Sequence, residues 1–110
     1  MNRTVLITGA AGNIGTKLRA HFSGLGWTVR AVDLDPRGDG TIAAADLAQW
    51  DDDWARLFSG VDAIVHLAGD PSPRASWASV QRLNIDLTAN VYEAASRHAV
   101  RRVILPVPIG

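Results

Sequence analysis

The chain has 110 residues, of which 47% are hydrophobic and 20% are charged, and it has no cysteine. This length corresponds to about one domain, which apolar packing must stabilise without disulfides. Eleven basic residues balance eleven acidic ones, so no net field would attract nucleic acid or an anionic membrane. No stretch reaches the roughly 18 apolar residues of a membrane span. We therefore expect a soluble, cytoplasmic domain, with neither nucleic acid nor a membrane as its partner.

The first half of the sequence alternates strand and helix patterns. A β-branched apolar run at Thr4–Thr8 predicts a strand buried on both faces. A helix is predicted from residue 13 to residue 25, and residues 27–33 predict a second strand. After a turn rich in Pro, Gly and Asp, residues 41–45 predict a weak third strand. The apolar row expected to face the core from the helix is Ile14, Leu18, Phe22 and Leu25.

The second half continues this alternation. Three acidic residues at 51–53 begin a predicted helix that runs to Gly60, because acidic side chains favour a helix's first turn. Residues 61–67 and 101–105 predict the fourth and fifth strands. Between them, after a loop with two prolines, an apolar row at helical spacing predicts a helix of about six turns. That row is Trp77, Val80, Leu83, Leu87, Val91, Ala94 and His98.

Strands that alternate with crossover helices indicate an α/β fold, namely a three-layer, doubly wound parallel sheet of Rossmann type. The expected order of its five strands is 3-2-1-4-5. In that order the direction of growth reverses between strands one and four, and ligands bind beyond the carboxyl ends of the strands at such a point. Gly9 and Leu67 are expected at this crevice.

Three glycines at a spacing of three follow the first strand. Gly9 would allow a sharp turn off the strand, Gly12 a close approach of backbone to a pyrophosphate, and Gly15 close packing of the helix on the sheet. The free amides near Asn13 and Ile14 would then face the phosphates. An ordinary β–α turn is the alternative, but the strand before and the helix after favour a dinucleotide site.

Asp33 ends the second strand, 18 residues after Gly15. A carboxylate about 20 residues beyond the glycines typically holds the adenosine ribose hydroxyls. It favours NAD, because the 2′-phosphate of NADP would meet a like charge unless Arg37 screened it. The alternative is that Asp33 only forms a turn.

Further motifs follow the later strands, in an order that resembles one known family. They are Asp46-Leu47 after the third strand, His66-Leu67-Ala68-Gly69 after the fourth, and Asn84 in the segment that runs to Val91. Together with the glycine loop and Asp33, these motifs resemble the N-terminal half of an extended short-chain dehydrogenase/reductase of the NAD-dependent epimerase/dehydratase group. The resemblance extends from residue 4 to about residue 105.

The resemblance implies further cofactor contacts. Asp46 would bond the adenine amino group, Leu47 would pack or bond beside it, and Asn84 would lie near the catalytic centre. From the sequence alone, Asp46 could equally be a helix cap or a solvated turn residue, and Asn84 could face solvent. The segment after the fourth strand would pass under the ribose and the nicotinamide with Leu67, Ala68 and Gly69.

The catalytic groups of this family do not match the sequence. The family uses a Tyr-x-x-x-Lys pair on a later helix, whereas the single tyrosine, Tyr92, has Ser96 at the lysine position and the single lysine is Lys17. His66 is interpreted as a packed strand residue, since no second metal ligand stands at a suitable spacing. We therefore assign no catalytic residue and no metal ligand, and expect residues 1–110 to form an incomplete NAD-binding domain, truncated before a sixth strand.

The resemblance also suggests a substrate class. The loop with Ser72 and Ser76 is somewhat similar to that of uronate dehydrogenases, where it touches the substrate. The expected function is the NAD(H)-binding portion of an oxidoreductase or epimerase acting on a sugar, a nucleotide sugar or a sugar acid. The alternative is a non-catalytic NAD-binding module with a regulatory or subunit role. An undercovered long helix and an open edge at strand five would favour self-association or poor solubility. The resemblance also implies that two copies pair through the long helices of the sheet face, as a homodimer.

Overall fold

The computed structural model describes residues 2–68 and 77–105, with side chains in the second range described from residue 84 onward. The strands in these ranges are β1 (Thr4–Thr8), β2 (Thr28–Asp33), β3 (Ile42–Ala44), β4 (Ala63–His66) and β5 (Arg102–Ile104). The helices are α1 (Asn13–Gly24), α2 (Asp52–Ala55) and α3 (Trp77–Arg97), and a 3-10 turn at Arg56–Phe58 follows α2 directly. The predicted order of strands and helices is confirmed.

All five strands form one parallel sheet in the order β3-β2-β1-β4-β5. The expected doubly wound fold is therefore confirmed. The last residue of β1, Thr8, is in register with Val32 on one side and His66 on the other. This register brings the carboxyl ends of β1, β2 and β4 side by side, at the point where the direction of growth reverses.

The core has two parts, one on each face of the sheet. Successive strand side chains point to opposite faces, so Leu6 and Ile64 pack with α3 and the α2 region, whereas Val5, Ile7 and Val65 pack on the α1 side. Since Val5, Leu6 and Ile7 are fully buried, β1 is covered on both faces, as its unbroken apolar run predicted.

The apolar row predicted for α1 is wrong at both of its ends. Ile14 is 59% exposed and Leu25 is 60% exposed, whereas Leu18 and Phe22 pack against the core. The helix packs against the core through Leu18 and Phe22 and against the preceding loop through the buried Gly15, whereas Ile14 and Leu25 lie outside the core. The helix predicted from residue 51 to Gly60 is also shorter than expected, since it tightens into the 3-10 turn after Ala55.

From Leu87 to Ala94 the apolar face of α3 is covered, so the expectation that it lies undercovered is wrong for this part of the helix. Leu87, Val91 and Ala94 are buried in the core cluster that also holds Phe58. In contrast, Ile104 on β5 is 50% exposed. Self-association through this edge stays a prediction. Among the described residues, no helix is long and apolar enough to cross a membrane.

Candidate functional site

The loop between β1 and α1 is held against the segment that follows β4. Gly9 has a φ of +68°, in the left-handed region that favours glycine. A Cβ added to Gly9 would lie 2.9 Å from the amide nitrogen of Ala68 and 2.9 Å from the carbonyl carbon of Leu67. The first glycine of the motif therefore serves both the turn and the close approach of two loops.

The other two glycines have different surroundings. A Cβ on Gly15 would lie 2.5 Å from the carbonyl oxygen of Gly9 and 2.8 Å from the Cα of Ala10, so this position requires glycine for packing. A Cβ on Gly12 would meet only the Gly9 oxygen, at 3.4 Å. Packing within the chain does not explain Gly12, which is what a cradle for an external group requires.

Gly12 is also the N-cap of α1, and it supplies no side-chain hydrogen bond to the first turn. The first turn contains no acidic residue, and Asn13 and Ile14 are exposed. The first amides of a helix have no partner within the helix and carry the positive end of its dipole. The start of α1 therefore offers N–H donors and partial positive charge, as a phosphate group requires.

Asp33, at the end of β2, is fixed beside this loop. Its Oδ2 accepts a hydrogen bond from the amide of Ala11 at 2.9 Å, and its Oδ1 accepts one from the amide of Asp35 at 3.1 Å. Asp33 thus forms a turn, and the same carboxylate also reaches the glycine loop. Each carboxylate oxygen can accept a further hydrogen bond, so Asp33 retains capacity for ribose hydroxyls.

The segment after β3 holds Asp46 and Leu47. Asp46 is exposed, and its Oδ1 accepts a hydrogen bond from the amide of Ala48 at 3.1 Å, which matches the turn interpretation. Leu47 is buried, and its carbonyl oxygen accepts a hydrogen bond from Nδ2 of Asn90 on α3 at 2.8 Å. Their contacts to adenine stay predictions.

The segment after β4 is tied to the end of β1. Oγ1 of Thr8 lies 3.0 Å from the Leu67 amide nitrogen and 3.1 Å from that of Ala68. Nδ1 of His66 lies 2.6 Å from the same oxygen, and Nε2 lies 3.2 Å from Oγ1 of Thr88. His66 is only 4% exposed, and burial lowers the pKa of its imidazole below the ordinary value. The interpretation of His66 as a packed, hydrogen-bonded strand residue is confirmed.

These loops lie at the carboxyl edge of the sheet that the fold predicted, and the family model for NAD-dependent epimerases and dehydratases matches residues 5–106. The chain belongs to the NAD-dependent epimerase/dehydratase family. The family resemblance seen in the sequence is therefore confirmed.

This epimerase/dehydratase-family chain is 38% identical over 103 residues to the NAD-dependent glucose-6-phosphate dehydrogenase of Haloferax volcanii, covering 86% of this chain and 39% of the relative. It is 36% identical over 108 residues to the uronate dehydrogenase of Pseudomonas putida, covering 91% and 38%. A mutant uronate dehydrogenase from Agrobacterium tumefaciens, solved with NAD, has a TM-score of 0.76 and 29% identity, covering 96% of this chain and 40% of that one. The chain spans less than half the length of these relatives.

Several members of the proposed site are not tested by the geometry. Asn84 is half-buried, as its helical neighbours Leu87 and Val91 implied, but its role stays a prediction. Gly69, Ser72 and Ser76 lie outside the described residues.

Sequence reasoning missed residues that act through other residues. Thr8 and Thr88 contact His66, and Asn90 anchors the loop after β3. Asn90 carried a detectable signal, because it stands three residues after Leu87 and four before Ala94, on the apolar side of α3. A polar amide at such a position calls for a hydrogen-bond partner. The sequence offered no comparable signal for the hydroxyls.

Proposed function

We propose that residues 1–110 form the dinucleotide-binding domain of an NAD-dependent enzyme that acts on a sugar, a nucleotide sugar or a sugar acid. The observation that carries this proposal is the uncapped start of α1 next to Gly12, with the carboxylate of Asp33 fixed beside the same loop. One end of this arrangement suits an anion, and the other suits hydroxyl groups.

The described residues fit the two halves of a dinucleotide differently. The pyrophosphate would lie over Gly12 and accept hydrogen bonds from the first amides of α1. The adenosine ribose would lie against Asp33, and the adenine would reach Asp46 and Leu47. The ribose and nicotinamide on the other side would lie over Leu67 and Ala68, which contact the glycine loop.

The charge at Asp33 favours NAD over NADP. Its carboxylate is held by the Ala11 and Asp35 amides, so it cannot swing away without breaking two hydrogen bonds. A 2′-phosphate placed there would face a fixed negative charge. Arg37 is the residue that would have to screen this charge for NADP to bind. Its backbone is left-handed, and its amide donates a hydrogen bond to Asp35.

The proposed substrate class rests on the relatives. Those named above are dehydrogenases of glucose 6-phosphate and of uronate. Other similar structures include a UDP-galactose 4-epimerase, at 28% identity with a TM-score of 0.73. When bound, the nicotinamide would accept or supply hydride. Since the sequence holds no Tyr-x-x-x-Lys pair, the task proposed for these residues is to bind and orient the cofactor.

The test is a titration with NADH and with NADPH, following energy transfer from the four tryptophans to the reduced nicotinamide. We expect saturable binding of NADH and weaker binding of NADPH. Gly12→Val should lose binding while keeping the fold, because Gly12 has an ordinary φ of −73° and space for a Cβ. Asp33→Asn should reduce the difference in affinity between NADH and NADPH, because it removes the negative charge of the side chain.

A folded chain that binds neither cofactor would contradict the proposal. Equal binding by the unchanged chain and by Gly12→Val would place the cofactor elsewhere. Circular dichroism and thermal melting of each variant provide the check that a loss of binding is not a loss of folding.

A further inference from the structure

The hydroxyl of Thr8 has more polar neighbours than it can accept from. The amides of Leu67 and Ala68 point to its Oγ1, and Nδ1 of His66 is the third and closest neighbour, at 2.6 Å. An amide can only donate, and a hydroxyl oxygen has two lone pairs. The Leu67 amide lies closer to this oxygen, at 3.0 Å, than to the carbonyl oxygen of Thr8, at 3.2 Å. With both amides donating, the acceptor capacity of the hydroxyl is filled, and its single proton must be donated to Nδ1 of His66.

This requirement determines the tautomer of His66. A neutral imidazole carries one proton, so if Nδ1 accepts, the proton is on Nε2. Nε2 lies 3.2 Å from Oγ1 of Thr88 on α3, to which it can donate. All hydrogen bonds of this network thus donate in one direction. The two amides donate to the Thr8 hydroxyl, the hydroxyl donates to Nδ1 of His66, and Nε2–H of His66 donates to Thr88.

The end of this network is the segment proposed to lie under the nicotinamide. The amide of Leu67 is shared with the carbonyl oxygen of Thr8 at 3.2 Å, so the amide of Ala68 depends more heavily on the hydroxyl. The same Ala68 nitrogen lies against Gly9, where a Cβ would come within 2.9 Å. A rotation of the Thr8 hydroxyl would therefore disturb the segment after β4 and the glycine loop together.

We propose that His66 is a positioning residue for the cofactor, which as the Nε2–H tautomer orients the Thr8 hydroxyl and thereby holds Leu67 and Ala68 in the geometry that the cofactor requires. This inference rests on the proposed function for its consequence in binding. The hydrogen-bond network itself is independent of the cofactor. His66 touches no reacting atom and acts only through Thr8.

The tautomer is measured first, in the unchanged chain. Long-range proton–nitrogen spectra of the ¹⁵N-labelled protein separate a protonated ring nitrogen from a bare one. The signals of His66 are identified among those of the three histidines by their loss in His66→Asn. We expect the proton on Nε2 and a bare Nδ1.

Two matched variants then separate the two ring nitrogens. The side-chain oxygen of His66→Asn can replace Nδ1 as acceptor for the Thr8 hydroxyl, whereas the longer amide of His66→Gln reaches the position of Nε2 and leaves Nδ1 without a substitute. We expect His66→Asn to keep slow hydrogen exchange at the Ala68 amide and to bind NADH within about threefold of the unchanged chain. His66→Gln should exchange faster at Ala68 and bind NADH about tenfold more weakly, as expected when a buried hydrogen-bond partner is removed.

A proton on Nδ1 would overturn the proposal, and so would equal exchange rates and equal NADH affinities in the two variants when both melt as folded proteins. If the unchanged chain binds no NADH, the proposed function fails instead. The tautomer and the exchange rate of Ala68 then still decide whether His66 holds the segment.

Discussion

Helices α1 and α2 both begin with backbone amides that have no partner within the helix, but the two starts differ in the side chains that lie beside these amides. At α2, the side chain of Asp51 accepts a hydrogen bond from the amide of Asp53 at 2.8 Å, and two acids occupy the first turn. At α1, the cap is Gly12, which offers no side chain, and the first turn has no acid. The chain supplies a side-chain acceptor and acidic residues at the start of α2, and it supplies neither at the start of α1.

The difference separates stability from function at two similar positions. Capping and acidic first-turn residues stabilise a helix by about 1 kcal/mol in typical cases. The sequence provides this stabilisation at α2, which has four residues, and omits it at α1. An uncapped helix start beside a glycine loop at the reversal point of a parallel sheet therefore supports the proposal that an anionic ligand binds there.

The largest expected effect tests whether the α1 loop is tightly packed. Gly15→Ala would place a Cβ against the backbone of Gly9 and Ala10, which cannot rotate away, and should lower the free energy of unfolding by about 3 kcal/mol. Urea denaturation measures it. The matched control is Gly24→Ala at the other end of α1, where nothing lies within 4 Å, and a gain of up to about 0.5 kcal/mol is expected. Equal stability of the two variants would contradict the packing role of Gly15.

The second test converts the α1 start into a copy of the α2 start. Gly12 has the extended backbone of an N-cap residue, so Gly12→Asp can accept a hydrogen bond from the first turn and leave the fold intact. Its carboxylate would occupy the anion position, and NADH affinity should fall by about tenfold or more. Gly12→Ala, which adds a methyl group without charge, should lose less NADH affinity than Gly12→Asp. Undiminished NADH binding by Gly12→Asp would remove the distinction between the two helix starts.

The third test removes the cap from α2. Asp51→Ala deletes the acceptor for the Asp53 amide and should lower the free energy of unfolding by about 1 kcal/mol. NADH affinity should not change, since α2 takes no part in the proposed site. Asp51→Asn, which can still cap, should retain most of the stability. A change in cofactor affinity without a change in stability would argue against the assignment of α2 to stability alone.

The smallest expected effect is a pH dependence of stability that comes from the region of the α1 start and not from α2. His66, beside the α1 loop, has a pKa lowered by burial from its ordinary value of 6.5. As the pH falls below 6.5, the unfolded chain binds a proton that the folded chain resists, so stability present above this pH is lost on acidification. Urea midpoints measured between neutral and mildly acidic pH should show this loss. His66→Asn should lack the part of the pH dependence that comes from this residue. If the stability of His66→Asn depends on pH as that of the unchanged chain does, burial of the His66 imidazole is not the cause.

Local patterns predicted most of the fold. The β-branched run at Thr4–Thr8 indicated a strand buried on both faces, and the turn chemistry before residue 41 left room only for a short third strand. The mistakes occurred where local pattern does not report packing geometry. Ile14 and Leu25 share a helical row with Leu18, yet Leu18 packs against the core and the other two are exposed.

The candidate site was predictable from the sequence where backbone conformation determines it. The glycine spacing and Asp33 depend on conformations and distances along a single βαβ unit, so the sequence by itself indicated a dinucleotide loop and the carboxylate beside it. The turn hydrogen bonds that the alternative interpretations of Asp33 and Asp46 predict both form. For Asp33, the turn and the contact with the glycine loop occur together.

Contacts between distant side chains were decided only by the tertiary structure. Thr8 and His66 are 58 residues apart, and they meet because β1 and β4 are adjacent and in register. Asn90 reaches Leu47 across 43 residues for the same kind of reason. Periodicity along the chain determines which residues form a strand and which are buried. The direction of a hydroxyl proton, and thus the tautomer of His66, depends on which neighbours the assembled sheet supplies.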